Sequence, residues 1–240
     1  QSNNVIFREI FSRLYFYDLN GKINWKINDK NRVFLSGYTG RDVLGVGDLF
    51  RLGWGNVTFT GRWNHLFTDK LFSNLTVIYS TYDYLLGIPS GAAAFDWTSK
   101  ILNYSAKNDY TFYLNKSNTI RFGLYSEFHT FQPARFTPAA DNEVFTELKL
   151  FDRYAWENGL YASNEQKFGS RFSVQYGLRL SSFSNVGTDT LFNFNENYDT
   201  IPGNGYTAFP AGEIYNTEFG IENFKMFDLA TKKNNSIYIH

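Results

Sequence analysis

Leu14-Tyr15-Phe16-Tyr17-Asp18-Leu19-Asn20-Gly21-Lys22-Ile23-Asn24-Trp25-Lys26-Ile27 is the stretch whose reading decides the fold. Tyr15, Tyr17, Leu19, Ile23, Trp25 and Ile27 fall on every second position, and Asp18, Asn20, Lys22, Asn24 and Lys26 fall between them. Successive side chains of a strand point to opposite faces, so one face of this strand is apolar and the other polar. The run is longer than the ~5–6 residues usual for strands of soluble proteins. It suits a tilted strand crossing a bilayer, which needs roughly 9–11 residues within lipid plus an extension.

The same alternation recurs along the chain. Val57, Phe59 and Trp63 oppose Asn56, Thr58, Thr60 and Arg62; Leu102, Tyr104 and Ala106 oppose Asn103, Ser105, Lys107 and Asp109. Phe122, Leu124 and Phe128 oppose Arg121, Glu127 and His129; Val174, Tyr176, Leu178 and Leu180 oppose Gln175, Arg179 and Ser181. Residues 153–168 are less regular, because Asn158 and Asn164 share a face with Trp156 and Leu160. Residues 214–229 lose register near Glu222–Phe224, where we expect a bulge. The tally is about nine strands and the start of another.

Connections alternate in kind. Short ones rich in Asn, Asp, Gly and Lys lie at 28–31, 68–70, 115–118, 169–170 and 231–234, and longer ones at 43–53, 86–97, 132–151 and 185–213. Tight turns at one end and long loops at the other are the pattern of an up-and-down membrane barrel, with turns periplasmic and loops outside. A soluble Greek-key sandwich has no reason to sort its loops this way. The expected fold is therefore all-β: a transmembrane antiparallel up-and-down β-barrel in the outer membrane of a Gram-negative bacterium. Residues 1–13 read as a connecting segment and 14–240 as barrel wall.

Composition agrees and narrows function. Of 240 residues 20% are aromatic, with 25 Phe and 17 Tyr against a single Met, and the chain has no run of about 20 apolar residues for a membrane helix. Formal net charge is zero, which removes the electrostatic case for nucleic acid. There is no cysteine, so no disulfide framework or thiolate site. His65, His129 and His240 have no paired metal-ligand spacing, and Gly45-Val46-Gly47-Asp48 follows no βα unit, so we expect no cofactor. Gln1–Asn4 is polar with no apolar stretch after it, and Ile237-Tyr238-Ile239 still alternates, so the chain reads as part of a longer one.

Charged groups at membrane depth are costly on a lipid-facing wall, so they belong inside. Asp18, Lys22, Arg62, Asp109, Glu127 and Arg179 form this inward set, as a solvated wall or as contacts to a ligand. Tyr198 and Tyr206, with Phe209 and Tyr215, form an aromatic loop patch that suits either loop packing or stacking on a ligand such as a sugar ring.

Several stretches resemble the barrel of TonB-dependent outer-membrane receptors, in the form with a carboxypeptidase-regulatory-like N-terminal domain. They include Tyr15-Phe16-Tyr17-Asp18-Leu19-Asn20-Gly21-Lys22, Arg32-Val33-Phe34-Leu35-Ser36-Gly37-Tyr38-Thr39-Gly40-Arg41-Asp42-Val43, Arg62-Trp63-Asn64-His65-Leu66-Phe67 and Val174-Gln175-Tyr176-Gly177-Leu178-Arg179, in order over nearly all of residues 14–221. The resemblance implies a 22-stranded barrel filled by a plug, of which this chain is a segment without the plug. It also implies active uptake of a nutrient ligand (iron chelate, glycan or peptide) driven through TonB, with membrane lipid and lipopolysaccharide around the wall. The alternatives are a passive pore, a scaffold subunit working with a surface lipoprotein or a larger complex, and a barrel hydrolase using Glu127, His129, Asp141 or Glu143.

Overall fold

A computed structural model describes residues 13–138, 146–169, 172–186, 189–192, 206–209 and 214–223, the last three as backbone. Twelve strands and no helix appear among them. Six long strands open the chain: β1 Arg13–Asn28, β2 Asn31–Val46, β3 Phe50–Thr68, β4 Leu71–Ile88, β5 Phe95–Tyr113 and β6 Asn118–Pro138. They are followed by β7 Leu148–Lys149, β8 Arg153–Phe168, β9 Phe172–Val186, β10 Asp189–Phe192, β11 Tyr206–Phe209 and β12 Ile214–Asn223. One antiparallel sheet runs β1-β2-β3-β4-β5-β6-β8-β9-β12, with β7 beside β6, and β10 pairs β11 in a separate hairpin. Every neighbour in the long path is the next long strand in sequence, which is up-and-down topology.

The turns at one end are set by local side chains. Asn28 Oδ1 accepts from the Lys30 amide at 2.9 Å, Thr68 Oγ1 from the Leu71 amide at 3.2 Å, and Asn115 Oδ1 from the Ser117 and Asn118 amides at 2.9 Å each. These bonds mimic a backbone turn and give the chain reversal its partner. At Gly169 φ is +70°, a conformation that glycine adopts without steric cost.

At the other end the structure corrects three expected loops, one of them 132–151, whose residues 132–138 continue β6 and pair with β5 as far as Phe95 opposite Pro138. Residues 43–53 are paired strand almost throughout: Val43 faces Gly53, Gly45 faces Arg51 and Val46 faces Phe50, leaving a turn at 47–49 with Gly47 at φ +50°. Residues 86–97 shrink to 89–94 between β4 and β5. Glycines broke the alternation in the sequence, yet backbone pairing continued through them. The expected irregularity at Glu222–Phe224 is also displaced: pairing with β9 is regular to Asn223, and the register shift lies between Ile214 and Asn216. Phe224 and the turn at 231–234 lie outside the described residues.

Register assigns the faces. Cross-strand partners share a face, and one lane reads Gly21-Gly37-Phe59-Tyr79-Tyr104-Phe128-Trp156. The lane four residues on reads Trp25-Val33-Trp63-Leu75-Asn108-Leu124-Leu160-Leu180. These side chains have no protein over them: Ile23 and Leu178 are 64% exposed and Phe59 57%. The buried hydrophobic residues among those described are all alanines, Ala94, Ala134 and Ala155. A sheet with an exposed apolar face and no apolar core is stable only if something apolar covers that face, and the bilayer does. On β5 the apolar face carries no charge from Leu102 to Phe112; a rise of about 3.4 Å per residue at about 45° tilt spans roughly 25 Å, the height of a barrel's lipid band. By β9 the band sits lower on the ladder, Phe172 to Leu180 with Ser182 and Ser184 above, as the stagger of tilted strands requires. Asn164, on the same face, donates through its NH2 group to Tyr176 Oη at 3.0 Å and to Asn118 Oδ1 at 3.1 Å.

Candidate functional site

The polar face of β5, β6, β8 and β9 carries a mesh of ionisable and aromatic side chains. Tyr125 on β6 is directly across from Gly159 on β8, and Gly123 on β6 directly across from Tyr161 on β8. Each ring lies over the glycine opposite: a Cβ on Gly159 would stand 2.1 Å from Tyr125 Cε1, and one on Gly123 2.8 Å from Tyr161 Cε1. Lying flat, each tyrosine reaches along the wall to a carboxylate. Tyr125 Oη donates to Glu157 Oε1 at 2.5 Å, and Tyr161 Oη donates to Asp109. The Arg179 guanidinium from β9 sits 4.4 Å from the Tyr125 ring centroid, a cation–π distance. Asp109 also receives Lys107 Nζ at 3.1 Å, and Arg121 pairs with Glu165 at 3.0 Å. Higher on the wall, His129 Nδ1 stands 2.8 Å from Asn103 Oδ1, and its ring nitrogens lie 4.0 Å from Glu127 and from Glu157.

Of the inward set named from sequence, Asp109, Glu127 and Arg179 belong to this mesh. Asp18, Lys22 and Arg62 lie on the same face but apart from it, on β1 and β3. Asp18 accepts from Tyr38 Oη at 2.5 Å, Arg62 Nε donates to Thr76 Oγ1 at 3.3 Å, and Lys22 is exposed. Tyr206 is placed only as backbone in β11, opposite Phe192. Tyr198, Asp141 and Glu143 lie outside the described residues. Sequence reading missed Tyr125, Tyr161, Glu157 and Glu165. Their signal was a tyrosine with a glycine across the ladder, which needs the register and not only the alternation.

Among the described residues no three His, Cys, Asp or Glu side chains are grouped to hold a metal. His65 is instead a packing residue, Nδ1 2.8 Å from Asn31 Oδ1 and its ring 4.4 Å from Phe67 and 5.3 Å from Trp63. The mesh is a wall of fixed charges, hydroxyls and π faces, suited to holding polar ligands or a polar protein surface by many weak contacts.

No family model matches the sequence, and no curated protein matches it. Solved structures do match in fold. Copper transporter OprC superposes with a TM-score of 0.60 at 13% identity, over 88% of this chain and 34% of its own. BauA, the ferric preacinetobactin receptor from Acinetobacter baumannii, superposes with a TM-score of 0.57 at 13% identity, over 87% of this chain and 36% of its own. The chain thus spans about a third of the length of each. The solved structures it is similar to are TonB-dependent receptors, and the chain has the fold of a segment of their outer-membrane β-barrels.

Proposed function

We propose that this chain is part of the wall of a TonB-dependent transporter in the outer membrane of a Gram-negative bacterium, taking up a nutrient ligand through a plugged lumen. One observation carries the reading. A closed small barrel fills its interior with packed side chains, whereas among the described residues the polar face carries paired charges with no apolar packing above it. Such a face suits a wide lumen that is wet or occupied by a polar plug. The fold shared with a copper transporter and a ferric preacinetobactin receptor supports the same class of cargo, small nutrient ligands and metal chelates. Asp109, Glu127, Arg179, Tyr125 and Tyr161 then contact plug or passing ligand. The loops beyond β4, β6 and β9 serve the outer binding surface, since recognition residues concentrate on loops held by a rigid scaffold.

The test is ligand uptake by cells carrying the full-length gene, with and without TonB and with and without the proton gradient. Uptake that stops when either is removed supports the transporter. Equal flux in all four conditions makes the protein a passive pore.

A further inference from the structure

Charge is shared unevenly around the inner face. On β5, β6 and β8 the carboxylates are held: Asp109 by Lys107 and Tyr161, Glu165 by Arg121, and Glu157 by Tyr125. The inner face of β1–β4 differs. From the middle of the wall towards the short turns its lanes read Lys22-Ser36-Thr60-Ile78, then Asn24-Phe34-Arg62-Thr76, then Lys26-Arg32-Asn64-Asn74. These lanes hold four cations, Lys22, Arg62, Lys26 and Arg32, and no carboxylate. The acids of this face, Asp18 and Asp42, lie higher on the wall. The turn below adds Asp29, 2.6 Å from Lys26 Nζ. Lys22, Arg32 and Arg62 are in no ion pair among the described residues, and Arg62 donates to the neutral Thr76 hydroxyl at 3.3 Å.

Three features give this column a use. Lys26 lies directly across from Arg32, and like charges so placed destabilise a sheet unless an anion offsets them. Successive lanes are two residues apart, about 7 Å, which is less than the ~8 Å over which physiological salt screens a charge. An anion moving down the wall enters the field of the next cation before it leaves that of the last. Several weak sites in line hold an ion and still release it. Arg62 also shares its lane with Lys107, near the middle of the lipid band that Leu102 and Phe112 bound. Fixed charges at this depth are costly and mark paths for ions or substrates. At the foot of the column Lys26, Arg32, Phe34, Asn64 and Phe72 border a hollow of about 280 Å³.

We propose that Lys22, Arg62, Arg32 and Lys26 form a descending track for anions, so that the ligand drawn past this wall carries carboxylate or phosphate groups. The charges of β5, β6 and β8 satisfy one another and need no occupant; those of β1–β3 do not. The proposal rests on the uptake reading above and gives its ligand a sign of charge. An acidic segment lying permanently against the column is the competing occupant, and the experiment separates the two.

The test uses the purified full-length protein in lipid vesicles and compares two points of one lane. Lys22, Ser36, Ser105 and Glu127 share that lane, and residues 1–240 contain no cysteine. Any cysteine elsewhere in the protein is first changed to serine. Ser36→Cys and Ser105→Cys are then each treated with an anionic, a neutral and a cationic methanethiosulfonate reagent. The anionic-to-cationic rate ratio is expected to be about tenfold higher at Ser36→Cys than at Ser105→Cys. Adding Lys22→Gln and Arg62→Gln should bring the two ratios within about threefold of each other. Citrate should slow the neutral reagent at Ser36→Cys and leave Ser105→Cys unchanged. Equal ratios at the two positions, a ratio unmoved by the two Gln changes, or no effect of citrate overturns the proposal. Loss of reaction with all three reagents at Ser36→Cys also overturns it, since a covered column is what an acidic segment would give. Heat-modifiable gel migration checks that each variant is a folded barrel, and the comparison of the two positions needs no charge variant. Failure of the uptake reading is distinct: the anion preference would persist while flux needed neither TonB nor the proton gradient.

Discussion

Replacing Gly159 by alanine tests the packing of the inner wall most directly. The three atoms nearest the new Cβ all belong to the Tyr125 ring, at 2.1, 2.8 and 2.9 Å, so the ring has to leave. With it go the bond to Glu157 at 2.5 Å and the stacking under Arg179 at 4.4 Å. A hydrogen bond to a charged group contributes about 1.5–3 kcal/mol and a cation–π contact about 0.5–2 kcal/mol. Glu157 is 37% exposed, so water recovers part of the loss once the tyrosine has moved. The expected cost is about 2 kcal/mol, a folding constant lowered roughly thirtyfold. Urea unfolding of the full-length protein in lipid vesicles reads it, with Tyr125→Ala as the second arm of a double-mutant cycle. In the Tyr125→Ala background Gly159→Ala should cost under about 0.5 kcal/mol. The same cost in both backgrounds would refute the account, because the penalty would then not pass through the ring.

Three further outcomes follow from the faces and the turns. Val77→Lys places a charge in the lipid band and should destabilise by about 2–4 kcal/mol, while Ser105→Lys, on the lumen side next to Ala106 (the cross-strand partner of Val77) and directly across from Glu127, should cost under about 1 kcal/mol; equal costs in vesicle unfolding would remove the face assignment. Cysteines at Phe59, Val77 and Leu178 should resist a membrane-impermeant thiol reagent in vesicles while those at Asn56, Lys107 and Arg179 react, and equal labelling of the two sets argues against a wall between lipid and lumen. In the turn after β1, Lys26 Nζ lies 2.6 Å from Asp29, and that ammonium, by hydrogen bond and then charge, holds the Asp29 carboxyl below its ordinary value of 3.8. A lowered pKa stabilises the fold above the ordinary carboxylate range and loses that effect as pH falls through the lowered value. The gain in Lys30 amide protection over Asp29→Asn should therefore be present at neutral pH and vanish in acid; a gain unchanged down to pH 2 would contradict the pairing.

Alternation made most of this wall legible in the sequence, because a lipid face and a lumen face leave a period of two in nearly every strand. Asp109, Glu127 and Arg179 could be placed on the inner face for that reason alone. What alternation could not carry was anything that depends on which residue lies opposite which. Tyr125 and Gly159 are 34 positions apart, and nothing in either neighbourhood marks them as partners until the β6–β8 register is known. Gly45, Gly53 and Gly87 looked like loop because glycine contributes to neither face, although its backbone pairs as well as any other. Arg135 was invisible for a third reason: opposite Thr98 to Lys100 of β5, β6 runs one residue longer, from Arg135 to Gln132, so a pattern read straight through that bulge assigns Arg135 to the wrong side.

The paired ends of β2 and β3 have a mechanical consequence. β3 is 19 residues long, roughly 60 Å end to end, and the lipid band uses only about half of it. The remainder stands clear of the bilayer as a braced ribbon closed by the turn at 47–49, where the Leu49 amide bonds to the Val46 carbonyl at 2.9 Å. A tip held this way is a cantilever rather than a tether. A molecule that touches it meets a surface already in place and has no loop to organise, so contacts made there keep the free energy that ordering a slack segment would have consumed.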